Sequence, residues 1–166
     1  MISLKTKKIE SISTLLTSGE LISKYLADAK TMQLATVHDG RPWICNLHFV
    51  GDKKGNIYWL SLPTRRHSED IAGNENVAIS IAIKTSMPVV GIQAEGTAEQ
   101  VAELNVVKRV MIDYVRRHGT GKVFYDRALH GISQHRLYKF TPMRISLFDE
   151  VNFPKDSPHQ WVVGDK

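Results

Sequence analysis

Between Thr31 and Lys84 the chain alternates short apolar segments with turns, and this spacing restricts the fold more than any other feature. Thr31–His38, Arg41–Val50 and Asn56–Leu62 each read as a strand. Asp39-Gly40 joins the first two, with a glycine that accepts positive φ without penalty. Gly51-Asp52-Lys53-Lys54-Gly55 forms the next loop. Parallel neighbours need a crossover of about a dozen residues or more, usually helical, so a doubly wound parallel sheet is excluded. The fourth segment, Asn76–Lys84, sets Val77, Ile79, Ile81 and Ile83 against Ala78, Ser80 and Ala82. Its β-branched face suits a core. Its small face leaves room for another packed element or for a ligand.

Beyond the Ser86-Met87-Pro88 break, Val89–Ala98 reads as a fifth strand. Val101, Leu104, Val107, Met111 and Tyr114 then recur at helical spacing, and Gly119-Thr120-Gly121 stops that helix. A short helix is expected within residues 123–134. A last strand pair is expected at Leu137–Phe140 and Met143–Phe148, interrupted by Pro142. Near the start, Thr17-Ser18-Gly19-Glu20 fits a capping box, with a helix running to about Asp28. Residues 1–16 read as an arm. The sum is one domain over 1–166, mainly β with flanking helices: a six-stranded antiparallel barrel, whose closure hides the strand edges.

Composition excludes several classes. No apolar run approaches the roughly 20 residues that span a bilayer, so no membrane role is expected. The start, MISLKTKKIES, is too polar for a secretory signal. The lone Cys45 has no partner for a disulfide, which suits a cytoplasmic setting. The net charge of +5 favours anionic ligands without a nucleic-acid motif. The seven histidines show no metal-ligand spacing, and no Gly-x-Ser-x-Gly elbow occurs. Gly119-Thr120-Gly121-Lys122 is not a phosphate loop: Arg116 stands where the first glycine is needed, and Val123 follows the lysine. Lys108-Arg109 and Arg116-Arg117 read as the wet face of the long helix.

One segment offers a coherent site. Thr64, Arg65, Arg66 and His67 follow the strand end Trp59-Leu60-Ser61 and lead into a helix expected at His67–Ala72. Guanidinium forks grip phosphate bidentately, and the first amides of a helix point at an anion. The alternative is a solvated basic loop paired with Glu69 and Asp70. On the preceding strand, expected to run beside the Trp59 strand, Asn46, Leu47, His48 and Phe49 offer backbone groups to the edge of a planar heterocycle. Asn46 and His48 share a face; a structural role for His48 is the competing reading.

The stretches LATVHDGRPWICNLHFVGDKKGNIYWLS, PTRRHSEDIAGNENVAISIA and GIQAEGTAEQVAE resemble the pyridoxamine 5′-phosphate oxidase-like, FMN-binding split-barrel superfamily, and YKFTPMRISLFDE is similar to its last barrel strand. The resemblance implies a homodimer with FMN in clefts between subunits. It implies that Thr64, Arg65 and Arg66 occupy the positions of a Ser-Arg-Lys phosphate grip. It further implies that the ring lies along Asn46–Phe49 and that Trp59 and Leu60 approach the ribityl and phosphate region. The chain also departs from the oxidase. Ile44 and Phe49 stand where the oxidase has an arginine and a lysine. Gly91 stands at a glutamine position, with Gln93 two residues on, and the C-terminal Arg-x-His pattern is missing. The expected function is therefore an FMN-dependent oxidoreductase acting on a small molecule other than pyridoxamine phosphate. The alternatives are a non-catalytic flavin store or sensor, a deazaflavin protein, or a haem protein with His48, His67 or His130 as axial ligand. No residue is assigned as catalytic.

Overall fold

The structure, a computed structural model, describes residues 16–121, 123, 126, 133–155 and 157–162. The arm up to residue 15 and most of the helix expected at 123–134, including His130, lie outside these residues.

Helix α1 (Ser18–Asp28) starts as its sequence predicts. The Glu20 amide donates to Thr17 Oγ1 at 3.3 Å, and the Thr17 amide donates to the Glu20 carboxylate at 2.8 Å. The helix buries Leu21, Ile22 and Leu26 against the sheet. The strands are β1 (Thr31–His38), β2 (Arg41–His48), β3 (Val50–Gly51), β4 (Ile57–Ser61), β5 (Asn76–Lys84), β6 (Val90–Val101), β7 (Arg136–Asp149) and β8 (His159–Val162). Two further helices are α2 (Arg66–Gly73) and α3 (Leu104–His118).

All ladders are antiparallel, in the order β2-β1-β5-β6-β7-β4-β3, with β8 added to β7. The two ends of that order, β2 and β3, are separated in sequence only by Phe49. The sheet must therefore curl until its ends meet, which makes it a split barrel. Phe49, Trp59, Ile81, Phe140 and Leu147 fill the interior. A smaller cluster under α3 joins Val110 and Tyr114 to Val50, Tyr58 and Leu137. Gly119 closes α3 in the left-handed region, φ 66°, as its position predicts. Among the described residues no helix is long and apolar enough to cross a membrane.

Three details differ from expectation. The sheet has eight strands among the described residues; β1, β2, β4, β5, β6 and β7 are the six expected, while β3 and β8 are short additions. The expected terminal pair is one continuous strand, β7. Pro142 interrupts nothing, because the register slips there: Glu95 faces Arg144 and Gly96 faces Pro142, leaving Met143 as the extra residue of a bulge. Gly96 permits the close approach, since a Cβ there would stand 2.1 Å from the Thr141 carbonyl oxygen. Finally, β2 does not run beside the Trp59 strand. It pairs with β1, and only Val50 and Gly51 form the ladder to β4. That leaves β2 as an edge.

Candidate functional site

The start of α2 gathers exposed cations and uncapped amides. The Arg65 amide donates to Leu62 O at 3.1 Å, and the Arg65 carbonyl accepts from the amides of Ser68 and Glu69 at 2.8 and 3.0 Å. Arg65 is the N-cap and makes no side-chain cap hydrogen bond. The amides of Arg66 and His67 therefore have no helical acceptor. Thr64, Arg65 and Arg66 are exposed beside them. Two cations at a helix N-terminus oppose its dipole. An anion seated there would satisfy amides and guanidinium groups together.

Arg66 is held from one side only. Its Cζ lies 4.5 Å from the centroid of the Trp43 ring, and its Nε lies 3.8 Å from Asp70 Oδ2. Asp70 is 3% exposed and accepts a 2.6 Å hydrogen bond from Thr36 Oγ1. Thr36 in turn stands opposite Trp43 in the β1–β2 ladder. His38 Nδ1 reaches the other Asp70 oxygen at 3.9 Å. His67 faces inward, with Nε2 2.7 Å from Ser61 Oγ, tying α2 to the end of β4. Burial, and then the charge of Arg65, push its pKa below the usual histidine value. His67 is thus neutral at neutral pH and adds no third cation.

The second part of the site is the open edge of β2. The turn between His38 and Arg41 has two residues, Asp39 and Gly40, both at positive φ (49° and 71°). Such a turn makes its flanking pair hydrogen-bonded, and the pattern then alternates. Trp43, Cys45 and Leu47 turn their backbone groups to β1, so Ile44, Asn46 and His48 turn theirs to the open edge. On the outer face, Gln33 Nε2 donates to Asn46 Oδ1 at 3.1 Å. Beside this pair lies a cavity of about 390 Å³, lined by Gln33, Ile44, Gln93, Arg144 and the small residues Ala35, Ala78 and Ser80. It occupies the small-residue face of β5 noted in the sequence. Arg144 and Glu95 pair at 3.1 Å on its rim.

The residues expected to bind cofactor divide accordingly. Thr64, Arg65 and Arg66 come together at the start of α2, and Asn46 and Gln93 lie at or beside the outer cavity. Phe49 and Trp59 do not join them: both side chains are 0% exposed in the core. Trp59 stacks on Tyr138, 5.7 Å between centroids. Leu47 packs against the core and Leu60 against the cluster under α3. Ser61 and His67 are engaged with each other. His48 is exposed, its ring edge-on to His118 at 5.0 Å. Sequence reasoning missed Trp43 and Thr36, and it gave Asp70 only as a surface ion-pair partner, whereas Asp70 is buried. The signals were present: Asp70 lies four residues after Arg66 on one helix face, and the Asp39-Gly40 turn sets Trp43 opposite Thr36. Burial, followed by the charge of Asp70, raises the Cys45 pKa, which disfavours its thiolate.

A split β-barrel of this topology defines the class. Residues 19–149 match the pyridoxamine 5′-phosphate oxidase family, and the chain belongs to that family. No curated protein matches it. Among solved structures it is similar to a conserved hypothetical protein from Mycobacterium tuberculosis (18% identity, TM-score 0.72, covering 92% of this chain and 96% of that one). It is also similar to an FAD-binding protein from Mesorhizobium loti (17%, 0.57, 80% and 94%). A third is the haem storage protein HutZ from Vibrio cholerae (23%, 0.58, 74% and 87%).

Proposed function

We propose that the protein binds FMN and works as a flavin-dependent oxidoreductase on a small molecule. The observation that carries this reading is the pairing of two exposed arginines and uncapped helix amides with an open strand edge, joined through Trp43. The residues fit the cofactor's demands. Its phosphate needs fixed positive charge and amide donors, which Arg65, Arg66 and the start of α2 supply. Its ring needs donors and acceptors along one edge, which the backbone of Ile44, Asn46 and His48 supplies. When bound, the flavin would supply the hydride or electron chemistry. The polypeptide holds and orients it. We assign no general acid or base: in the outer cavity Glu95 and Arg144 are paired with each other.

Pyridoxamine 5′-phosphate is not the substrate on this reading. Ile44 and the core residue Phe49 take the places of two cationic side chains of the oxidase. A second copy of the chain would cover the outer face, where Ile44 is 62% exposed and Met143 and Val37 are also open. The cofactor would then lie at the subunit interface. The test is fluorescence titration with FMN. Wild-type protein should bind it, and Arg65→Ala/Arg66→Ala should weaken binding by about 2–3 kcal/mol, the value of charge-assisted hydrogen bonds lost. Unchanged affinity in the double variant would remove the phosphate assignment. Bleaching of the bound flavin by a reduced nicotinamide would separate catalysis from storage.

A haem reading has one observation in its favour. His48 is exposed on the β2 edge, whereas His67 is committed to Ser61. A Soret band on adding hemin, lost in His48→Ala, would support it over flavin.

A further inference from the structure

Four side chains at the barrel mouth form a closed square. Thr36 and Trp43 stand opposite each other across β1 and β2, and Arg66 and Asp70 stand one helical turn apart on α2. Thr36 fixes the Asp70 carboxylate at 2.6 Å. Asp70 meets Arg66 at Nε, and the Trp43 ring covers the guanidinium plane at 4.5 Å. No hydrogen bond engages the terminal amines of Arg66 among the described contacts, and its side chain is 46% exposed. A guanidinium gripped by its inner nitrogen and one face keeps its two outer donors for a bidentate acceptor. Trp43 is also the residue beside Ile44, the first amide on the open edge of β2.

We infer that Trp43 and Asp70 are positioning residues that present Arg66 to the phosphate and lock that grip to the strand edge along which the ring lies. The inference rests on the flavin reading above and adds to it a mechanical link between the two ends of the ligand. An unheld arginine would lose rotamer freedom on binding. The clamp meets that cost when the protein folds. It therefore acts on phosphate recognition and not on the ring.

The experiment compares FMN with riboflavin, which lacks the phosphate, by flavin fluorescence at fixed ionic strength. In Trp43→Leu the FMN affinity should fall about tenfold, a change of about 1.4 kcal/mol, with riboflavin affinity unchanged. Trp43→Phe keeps an aromatic face and should recover most of the loss. Asp70→Asn gives an opposite sign for two explanations. Removing a negative charge beside an anion site should tighten FMN if charge alone matters; it should weaken FMN if the carboxylate orients Arg66. An unaltered FMN-to-riboflavin ratio in both Trp43→Leu and Asp70→Asn would overturn the inference, as would equal weakening of both ligands in Trp43→Phe. A wild-type protein that binds FMN no better than riboflavin would instead overturn the phosphate assignment on which the clamp depends.

Discussion

The tripeptide Arg-Arg-His occurs twice, at 65–67 and at 116–118, and the structure uses the two copies in opposite ways. The first opens α2; the second closes α3. At the end of α3 the cations face the negative pole of the helix, where they are stabilising. There Arg117 reaches across to the C-terminal end of α1. Its guanidinium donates to the carbonyls of Leu26 and Ala29, both at 2.9 Å, and to that of Ala27. Helix α1 has no basic residue in its own last turn, so Arg117 serves as its missing cap. At the start of α2 the same residues face the positive pole. Among the described contacts no carbonyl engages the side chains of Arg65 and Arg66; Arg66 meets only the Trp43 ring and the Asp70 carboxylate. The contrast teaches that an arginine pair is tied into the fold or left with free donors according to which helix end it occupies and how many acceptors the fold brings to it.

The largest expected effect comes from breaking the structural copy. Arg117→Ala removes three hydrogen bonds from a charged donor and leaves the α1 carbonyls to water. We expect a loss of about 3 kcal/mol in unfolding stability by urea denaturation. FMN affinity under native conditions should stay at the wild-type value. A stable Arg117→Ala with weakened FMN would invert the assignment of the two copies.

The copy proposed to hold the phosphate should behave in reverse. Arg65→Ala/Arg66→Ala, which weakens FMN as described above, should change stability by less than about 1 kcal/mol, because relief of two cations at a helix N-terminus offsets the loss of the Arg66 contacts to Trp43 and Asp70. Thermal unfolding without ligand measures this. A marked fall in the midpoint would mean that the pair supports the fold, and that its exposure conceals a structural role.

This division shows what the sequence makes legible. Features set by neighbours along the chain are readable: the Thr17–Glu20 capping box, the Asp39-Gly40 hairpin, the Gly119 stop and the alternating burial of β5. The split barrel follows from turns that allow no crossover. Features set by distant acceptors are not readable. Arg116-Arg117 reads as a wet helix face, and Arg116 does pair on the surface with Asp113 at 2.9 Å, yet Arg117 turns inward. Nothing local announces that the α1 carbonyls lie within its reach. Pro142 reads as a strand breaker because its bulge depends on Gly96, far away in sequence. In the site, Arg65 and Arg66 stand out by charge, whereas Trp43 and Asp70 acquire their relation to Arg66 only through β1–β2 register and helix phase. Phe49 and Trp59 fall on ligand-side positions by resemblance, but the curl of the sheet turns them into the core.

The two histidines carry the comparison to its smallest effect. His67 and His118 both have pKa values lowered below the usual 6.5, in each case chiefly by burial. For His67 the next cause, the charge of Arg65, acts in the same direction, opposed only by Asp70. For His118 the next cause, its 3.0 Å hydrogen bond to Phe49 O, opposes burial, while the charges of His48, Arg117 and Lys30 reinforce it. As pH falls through about 6.5 the unfolded chain takes up protons that the folded chain refuses, so stability declines. The decline ends below the folded values, where both states are charged. Urea midpoints at pH 7 and at about pH 5.5 should therefore differ, with the lower value at the lower pH. His67→Gln and His118→Gln should each flatten that slope, since each removes a ring whose folded pKa is lowered. Asp149 acts outside this window: its burial, which would raise its pKa, is outweighed by hydrogen bonds from Tyr25, Asn152 and Val151, so it lies below its usual 3.8 and its contribution is lost only in stronger acid. If neither variant flattened the slope, burial would not be holding these two rings neutral, and the loss of stability below pH 7 would have to come from other groups.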